Sequence, residues 1–154
     1  MASLFIGEGF GRALIIHLKR GDLLLESIRD LLAKEGIKNA VLFGAVGSMR
    51  KLVYHLPTST GPTSNDKFIT VEGNGPIELG SLSGNVIDGD PHLHIVAQDA
   101  KGTYVGHLEE GTEVLFLAEI ILAEIKDPGI HRVKDEHGVV YLTRKPQAAC
   151  NTNP

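Results

Sequence analysis

The sequence predicts a single domain of mixed α/β class (α+β type), built from many strands and one main helix. Three observations lead to this prediction. The length of 154 residues suits one domain. Apolar residues follow helical spacing clearly in one segment, 23–35, whereas short apolar segments with β-branched residues recur elsewhere. The 18 glycines indicate frequent turns and close backbone approaches, which a helical bundle does not need.

The elements can be placed along the chain from local signals. Helix 23–35 is preceded by Asp22, a residue suited to an N-cap, and followed by Gly36, a residue suited to a C-cap. Gly44 and Gly47 interrupt an apolar strand, which marks a bulge or a close approach of another backbone or a ligand. Strands are predicted at 12–18, 40–46, 52–56, 68–72, 77–87, 114–125 and 139–142, with a further pair inside 89–108.

The charge pattern argues against a nucleic-acid surface. The net charge is −4, and the 15 basic residues are scattered along the chain. Proteins that bind nucleic acid usually carry a basic face, because neutralising phosphates supplies most of the affinity. The composition therefore disfavours DNA binding, although a fold can still gather dispersed lysines on one face.

The chain carries no membrane or secretion signal that the sequence reveals. No apolar run reaches the roughly 20 residues of a membrane span, and the N-terminus lacks a basic region followed by a long apolar one. The single Cys150 excludes an intramolecular disulfide, and an incidental role is the simplest interpretation. We therefore expect a cytoplasmic protein with no membrane partner, whose domain covers residues 1–146 and whose tail, 147–154, is disordered.

The most specific chemical signal lies in segment 89–108, which holds three of the seven histidines. Two short strands are predicted here around a tight turn at 99–102, because this tetrapeptide ends in the glycine that turns favour. If the turn is centred on its two middle residues, His94 faces His107 across the hairpin. Side chains alternate along a strand, so His92 shares the face of His94.

These three imidazoles predict a metal site. Directly opposed residues have Cβ atoms about 5 Å apart, which lets both rings reach one ion. The prediction depends on register, because a slip of one residue would turn His107 to the opposite face. His17 lies in the first predicted strand, where a solvent-facing or structural role is the simpler interpretation.

Glu119 is the acid whose position is most informative. It lies inside 114–125, an apolar run whose lack of polar alternation favours a strand buried on both faces. A buried carboxylate needs a partner, because an unpaired charge in a core is very costly. Three roles are open for Glu119: an ion pair with a basic residue, a hydrogen bond to a metal-bound histidine, or a general base in catalysis.

The order and spacing of these segments resemble the PPC domain, also written PCC (plants and prokaryotes conserved), in its stand-alone prokaryotic form. Val105 stands where the family often has glycine, a change that leaves the neighbouring histidine in place. The matching stretches lie between residues 12 and 125 and are Arg12-Ala13-Leu14, Gly21-Asp22-Leu23-Leu24, Gly44-Ala45-Val46-Gly47-Ser48, Glu78-Leu79-Gly80-Ser81-Leu82-Ser83-Gly84, Pro91-His92-Leu93-His94, Gly106-His107-Leu108 and Ala118-Glu119.

This resemblance implies a mostly antiparallel β-sheet with the helix packed on it, assembled as a homotrimer. It also implies a site for zinc, or another divalent transition metal, at His92, His94 and His107. The DNA-binding role attached to the family comes largely from the AT-hook of plant relatives, an Arg-Gly-Arg-Pro core that this sequence lacks.

Three functions are open at the level of sequence. The first is a metal-dependent site for an unknown small molecule, enzymatic or not, because three imidazoles leave a fourth coordination position open. Glu119 is the candidate catalytic residue of that site. The second is a DNA-binding or transcription-regulatory protein, and the third is a non-catalytic structural trimer with the histidines at its interfaces. The first is favoured, because three histidines converge under one simple register.

Overall fold

The computed structural model describes residues 3–63, 65–126 and 129–144. The predicted fold class is confirmed, because strands dominate the described residues and a single helix accompanies them. The elements are β1 (Phe10–Lys19), α1 (Leu24–Lys34), β2 (Ala40–Pro57), β3 (Asp66–Ile87), β4 (Asp90–Gln98), β5 (Thr103–Leu108), β6 (Glu113–Ile125), β7 (Ile130–Lys134) and β8 (Val140–Arg144).

Six strands form one antiparallel sheet in the order β1-β6-β2-β3-β4-β5. The last strand also pairs with β2, through Tyr54 with Leu108 and His55 with His107. Strands β2 to β5 therefore close into a small ring, and β6 and β1 extend the sheet from the other half of β2. Strands β7 and β8 form a separate two-stranded hairpin.

The second and third strands are longer than the sequence predicted. Segments 40–46 and 52–56 are parts of β2, and segments 68–72 and 77–87 are parts of β3. The two strands stay paired across a register shift between Met49 and Lys51. The expected close backbone approach is confirmed at Gly47, where φ is +153° and an added Cβ would lie 2.5 Å from the carbonyl oxygen of Leu117.

The core lies between α1 and the inner face of the sheet. The helix contacts β1, β4 and β6, and buries Leu24, Leu25, Ile28 and Leu32, which follow the spacing of one helix face. Each fully buried leucine or isoleucine contributes about 1.5–3 kcal/mol relative to an exposed one. This packing fixes β4, and with it the outer face on which the histidines stand.

One helix cap was predicted correctly and one was not. Gly36 has φ +70° at the end of the helix, as a C-terminal glycine should. Asp22 does not cap the helix, because its Oδ2 accepts a 2.7 Å hydrogen bond from the backbone N–H of Lys19 and closes the preceding turn. Leu23 occupies the N-cap position without a side-chain hydrogen bond.

The expectation that 114–125 is buried on both faces is wrong for the single chain. Buried and exposed positions alternate along β6: Ala118, Ile120 and Leu122 are buried, whereas Ile121 is 50% exposed. The run thus contains one core face and one outer face that is mostly apolar. A run of this kind looks doubly buried in sequence because both of its faces are apolar apart from Glu119 and Glu124.

Two further predictions concern the C-terminal tail and membrane-spanning segments. The proposed disordered tail and Cys150 lie outside the described residues. Among the residues that the structure describes, no helix has the length and apolar character needed to cross a membrane.

Candidate metal centre

The histidine hairpin forms as the sequence predicted. Strands β4 and β5 pair His94 with His107 and Gln98 with Thr103. Asp99 holds the turn, because its Oδ1 accepts hydrogen bonds from the backbone N–H groups of Lys101 (2.7 Å) and Gly102 (3.0 Å). Local contacts thus determine the turn, and the position of the turn sets the register in which β4 pairs with β5.

Three neighbouring strands place histidines in one row. His107 on β5 pairs with His94 on β4 at one edge and with His55 on β2 at the other. His92 precedes His94 by two residues, so both side chains point to the same outer face of β4. The alternate residues Leu93 and Ile95 are fully buried in the core. A register slip of one residue would expose them and bury the histidines, so the observed register is strongly favoured.

The rings of the three predicted ligands are close together. The Nε2 atoms of His92 and His94 are 3.3 Å apart. The centroid of the His107 ring lies 4.9 Å from that of His92 and 5.5 Å from that of His94. The three rings therefore lie on one patch, as the hairpin register predicted, and their role as metal ligands stays a prediction.

Two further residues belong to this cluster and were not predicted from the sequence. The His55 ring stacks on His107 with a centroid separation of 4.5 Å. The Oε1 atom of Glu109 accepts a 2.6 Å hydrogen bond from His55 Nδ1 and lies 3.2 Å from the buried Nδ1 of His107, outside hydrogen-bond geometry. A signal for Glu109 existed, because it stands two residues after His107 and so shares its face. His55 carried no such local signal.

The surroundings disfavour protonation of two of the imidazoles. Burial lowers the pKa of His107 from its usual value, and neighbouring His55 lowers it further. Burial also lowers the pKa of His92, and His107 and Arg132 add to that effect. A neutral imidazole offers a lone pair to a metal ion, whereas a protonated one offers none. The pocket therefore favours the form of histidine that binds metal at neutral pH.

A pocket of about 750 Å³ opens over the histidine row. Its wall includes Arg132 and Lys134 from β7. Arg132 is largely buried, and its Nη1 approaches His92 Nδ1 at 3.2 Å, while Nη2 donates to Asn85 Oδ1 at 2.5 Å. Burial lowers the pKa of Arg132. The volume is sufficient for a small organic molecule.

The comparison with known families gives a decisive match. The sequence profile of the Plants and Prokaryotes Conserved (PCC) domain matches residues 6–126. This chain belongs to the PCC domain family. All three predicted ligands and Glu109 lie inside the PCC match, whereas Arg132 and Lys134 lie beyond its end.

A curated relative of this PCC domain is a much longer protein. Among curated proteins, a bifunctional protein GlmU from Synechococcus sp. (strain JA-2-3B'a(2-13)) is 28% identical over 121 residues. The match covers 78% of this chain but 18% of that protein, so the chain corresponds to less than a fifth of its relative's length.

Two solved structures are similar to this PCC domain in both sequence and fold. A plant- and prokaryote-conserved (PPC) protein from Pyrococcus horikoshii is 31% identical, with a TM-score of 0.72 over 95% of this chain and 99% of that one. A metal-containing protein from Archaeoglobus fulgidus is 28% identical, with a TM-score of 0.72 over 89% and 95%.

A third structure shares the fold at a greater distance. A Bacteroides thetaiotaomicron protein with a provisional DNA-binding designation has a TM-score of 0.73 over 92% of this chain and 99% of its own, at 16% identity. Identity this low conveys the fold alone. DNA binding by this PCC domain therefore stays an alternative prediction.

Two overlapping sets of ligands are available in the PCC domain. Within the described residues, the group whose ligand atoms all lie within 4.8 Å of one another is His55, His107 and Glu109. The other set is the predicted one, His92, His94 and His107. His107 is common to both sets. In the structure, Glu109 accepts a hydrogen bond from Nδ1 of His55 and lies close to Nδ1 of His107.

Glu119, the predicted catalytic residue, lies elsewhere in the PCC domain. Its side chain is 52% exposed, so the expected burial is wrong, and its Oε1 lies 3.5 Å from Nδ1 of His17. Glu119 pairs with Val46 on β2, whereas His107 pairs with His55. Nine residues of extended strand span roughly 30 Å. The structure thus brings Glu119 to His17 and not to the hairpin histidines.

Proposed function

We propose that this protein is a metal-binding domain that holds a divalent transition metal, zinc in the first instance, through His92, His94 and His107. The observation that carries the proposal is the meeting of the His92 and His94 rings through their Nε2 atoms, which lie 3.3 Å apart and share a hydrogen bond in the structure. Two nitrogens on a tetrahedral zinc ion, each about 2.0–2.1 Å from the metal, lie about 3.3 Å apart. The metal-containing relative from Archaeoglobus fulgidus supports metal binding in general.

The surroundings of the three rings fit this role. Imidazole is a preferred ligand of zinc and similar ions, and the lowered pKa values of His92 and His107 keep their nitrogens available. Glu109 Oε1 lies 3.2 Å from Nδ1 of His107, near enough for a small ring rotation to form the hydrogen bond by which a carboxylate orients a ligating histidine and leaves Nε2 for the metal. A divalent metal held by three imidazoles supplies a Lewis acid with one open position.

The pocket supports a small molecule as the partner of this site. A volume of about 750 Å³ lies directly over the three rings, within the range of small-molecule pockets. A metal at the floor of such a pocket is placed either for catalysis or for ligand recognition. We place the chemistry of the site with the histidines, and Glu119 has no part in it.

We also infer that the chain assembles with copies of itself, as the homotrimer that PCC membership implies. The outer face of β1, β6 and β2 is unusually apolar for a solvent-facing surface. Exposed side chains include Ile15 (77%), Phe43 (63%), Val46 (59%) and Ile121 (50%). Contiguous apolar patches of this kind mark interaction surfaces.

The metal content of purified variants tests the ligand assignment. Protein prepared without a histidine tag is expected to contain one metal per chain by elemental analysis. His94→Ala is expected to lose this metal and to keep the oligomeric state, because the imidazole is solvent-facing while its neighbours Leu93 and Ile95 remain in the core. His17→Ala is the control, since His17 lies beside Glu119 and away from the hairpin.

A second variant separates the two ligand sets. If the metal is held by the hairpin histidines, His55→Ala retains most of the metal. If His55, His107 and Glu109 hold it instead, His55→Ala loses the metal and His94→Ala retains it. Metal-free wild-type protein that cannot be reconstituted with zinc or cobalt would refute the proposed function.

A further inference from the structure

Arg132 occupies a position that metal binding would disturb. Its Nη1 lies 3.2 Å from His92 Nδ1. Because an arginine N–H only donates, this contact requires a lone pair on His92 Nδ1. A neutral imidazole that offers Nε2 to a metal carries its hydrogen on Nδ1. The contact between Arg132 and His92 and the binding of a metal by His92 Nε2 are therefore mutually exclusive.

The guanidinium group of Arg132 has few other partners. Nη2 donates to Asn85 Oδ1 at 2.5 Å. Within the described part of the chain, the buried Nε makes no hydrogen bond, and Asp90 Oδ2 lies 3.6 Å from it. The side chain is only 12% exposed. When His92 Nε2 binds a metal, Nη1 of Arg132 loses its acceptor and Nε keeps only the longer ion pair with Asp90, which costs free energy until a new acceptor arrives.

The charge around the pocket favours an anion as that acceptor once a metal is present. Arg132 and Lys134 supply two positive charges, and Asp66, Asp88, Asp90 and Glu109 supply four negative ones. A divalent ion adds two positive charges and cancels this net negative charge. The added charge lies at His92, which Arg132 contacts. The metal-loaded pocket thus repels an anion less than the metal-free pocket does.

We propose that the metal-loaded pocket binds a small molecule through a carboxylate or phosphate group, with Arg132 as the bidentate donor and Lys134 as a second positive charge. The fork of a guanidinium matches two oxygens of such a group. Because metal binding releases Arg132 from His92, the metal and the anion bind cooperatively. This inference rests on the proposed metal site and adds to it the class of its ligand.

Calorimetric titration of the full-length protein tests the inference. Inorganic phosphate and, separately, acetate are titrated into zinc-loaded and metal-free protein. At least one of the two anions is expected to bind the zinc-loaded form about tenfold more tightly or better, a factor that corresponds to about 1.4 kcal/mol of coupling. The anion that binds distinguishes a phosphate subsite from a carboxylate subsite.

Variants assign the effect to Arg132. Arg132→Met is expected to lower anion affinity of the zinc-loaded protein at least tenfold, and to leave the zinc content at one per chain. Lys134→Met is expected to lower anion affinity by a smaller factor. Arg20→Met, which removes a positive charge in the turn after β1, is the control and is expected to change neither property.

The outcomes separate this inference from the proposed function. Wild-type protein that binds no metal contradicts the metal site itself. Protein that binds metal but takes up anions equally well with and without it overturns only the anion site. Anion binding that depends on zinc yet is unchanged in Arg132→Met also overturns the inference, because the anion then binds to the metal alone.

Discussion

At the scale of single residues, Glu109 links two histidines that come from different strands. Its Oε1 accepts a hydrogen bond from His55 Nδ1 at 2.6 Å and approaches His107 Nδ1 at 3.2 Å. One carboxylate oxygen thus lies beside two stacked rings and is hydrogen-bonded to one of them. A carboxylate that accepts from Nδ1 of a ligating histidine fixes its orientation and raises its basicity, which strengthens metal binding, and Glu109 is placed to do this for His107 when that ring binds a metal.

We expect Glu109→Gln to weaken zinc affinity by about 10–100-fold, the usual effect of removing a carboxylate behind a metal-bound histidine. The glutamine keeps the size of the side chain but loses its charge. The measurement is competition with a chromophoric chelator. A cobalt-loaded sample should keep the shape of its absorption spectrum, because the three ligating nitrogens remain in place.

Glu110→Gln is the matched control for this prediction. Glu110 is the next residue along the chain, but its carboxylate pairs with Arg29 of α1 at 2.7 Å and not with a histidine. Equal zinc affinity in Glu109→Gln and Glu110→Gln would show that Glu109 does not support the metal site.

At the scale of elements, the site depends on how closely β5 approaches β2. Gly106 makes this approach possible: a Cβ added there would lie 2.5 Å from Tyr54 Cδ2 and 2.6 Å from the carbonyl oxygen of His55. The neighbouring His107 is thereby held against His55. The pairing of β5 with both β4 and β2 sets the position of the central histidine.

Gly106→Ala is expected to destabilise the protein by about 1–3 kcal/mol, the cost of overpacking a tight contact. It is also expected to lower zinc affinity, because β5 must move away from β2 and carry His107 with it. Thermal unfolding of the metal-free protein and zinc competition measure the two effects.

Gly102→Ala provides the control in the same hairpin. A Cβ at Gly102 meets no atom within 4 Å, so both stability and zinc affinity should stay near the wild-type values. A Gly106→Ala variant that matches Gly102→Ala in both measurements would contradict the role assigned to the close contact.

At the scale of the whole molecule, the closed ring of strands and the apolar outer face have different roles. Strands β2 to β5 close into a ring that carries the histidine row. Strands β1 and β6 extend from β2 and present an apolar outer face, on which Ile15 and Ile121 are direct cross-strand neighbours. The chain has thus placed its polar cluster and its apolar surface on different parts of one sheet.

We expect Ile121→Lys to shift the protein from an oligomer to a monomer, because the charge would be buried without a partner in a self-association interface. Light scattering coupled to size-exclusion chromatography measures the mass. Leu31→Lys on α1, at a site with 40% exposure, is the control and should keep the wild-type mass. A wild-type chain that is monomeric at micromolar concentrations would contradict assembly through this face.

The sequence by itself determined the hairpin and its register. The turn is closed by Asp99 through contacts within three residues, and alternation along two short strands then decides which side chains share a face. The helix and its glycine cap were local in the same sense. These features could be predicted because the free energy that selects them comes from neighbours in the chain.

Most of the remaining site was decided by tertiary structure, although local alternation already places Glu109 on the face of His107. His55 and Glu109 are 54 residues apart, and Arg132 reaches His92 across 40. The burial of Glu119 was predicted wrongly for a related reason, since sequence does not reveal which face of an apolar strand packs on the core. Such contacts follow from closure of β5 on β2 and from burial against α1, which depend on the whole chain. The sequence therefore determined that the three hairpin histidines share one face. The fold then brought the carboxylate of Glu109, the imidazole of His55 and the guanidinium of Arg132 to them.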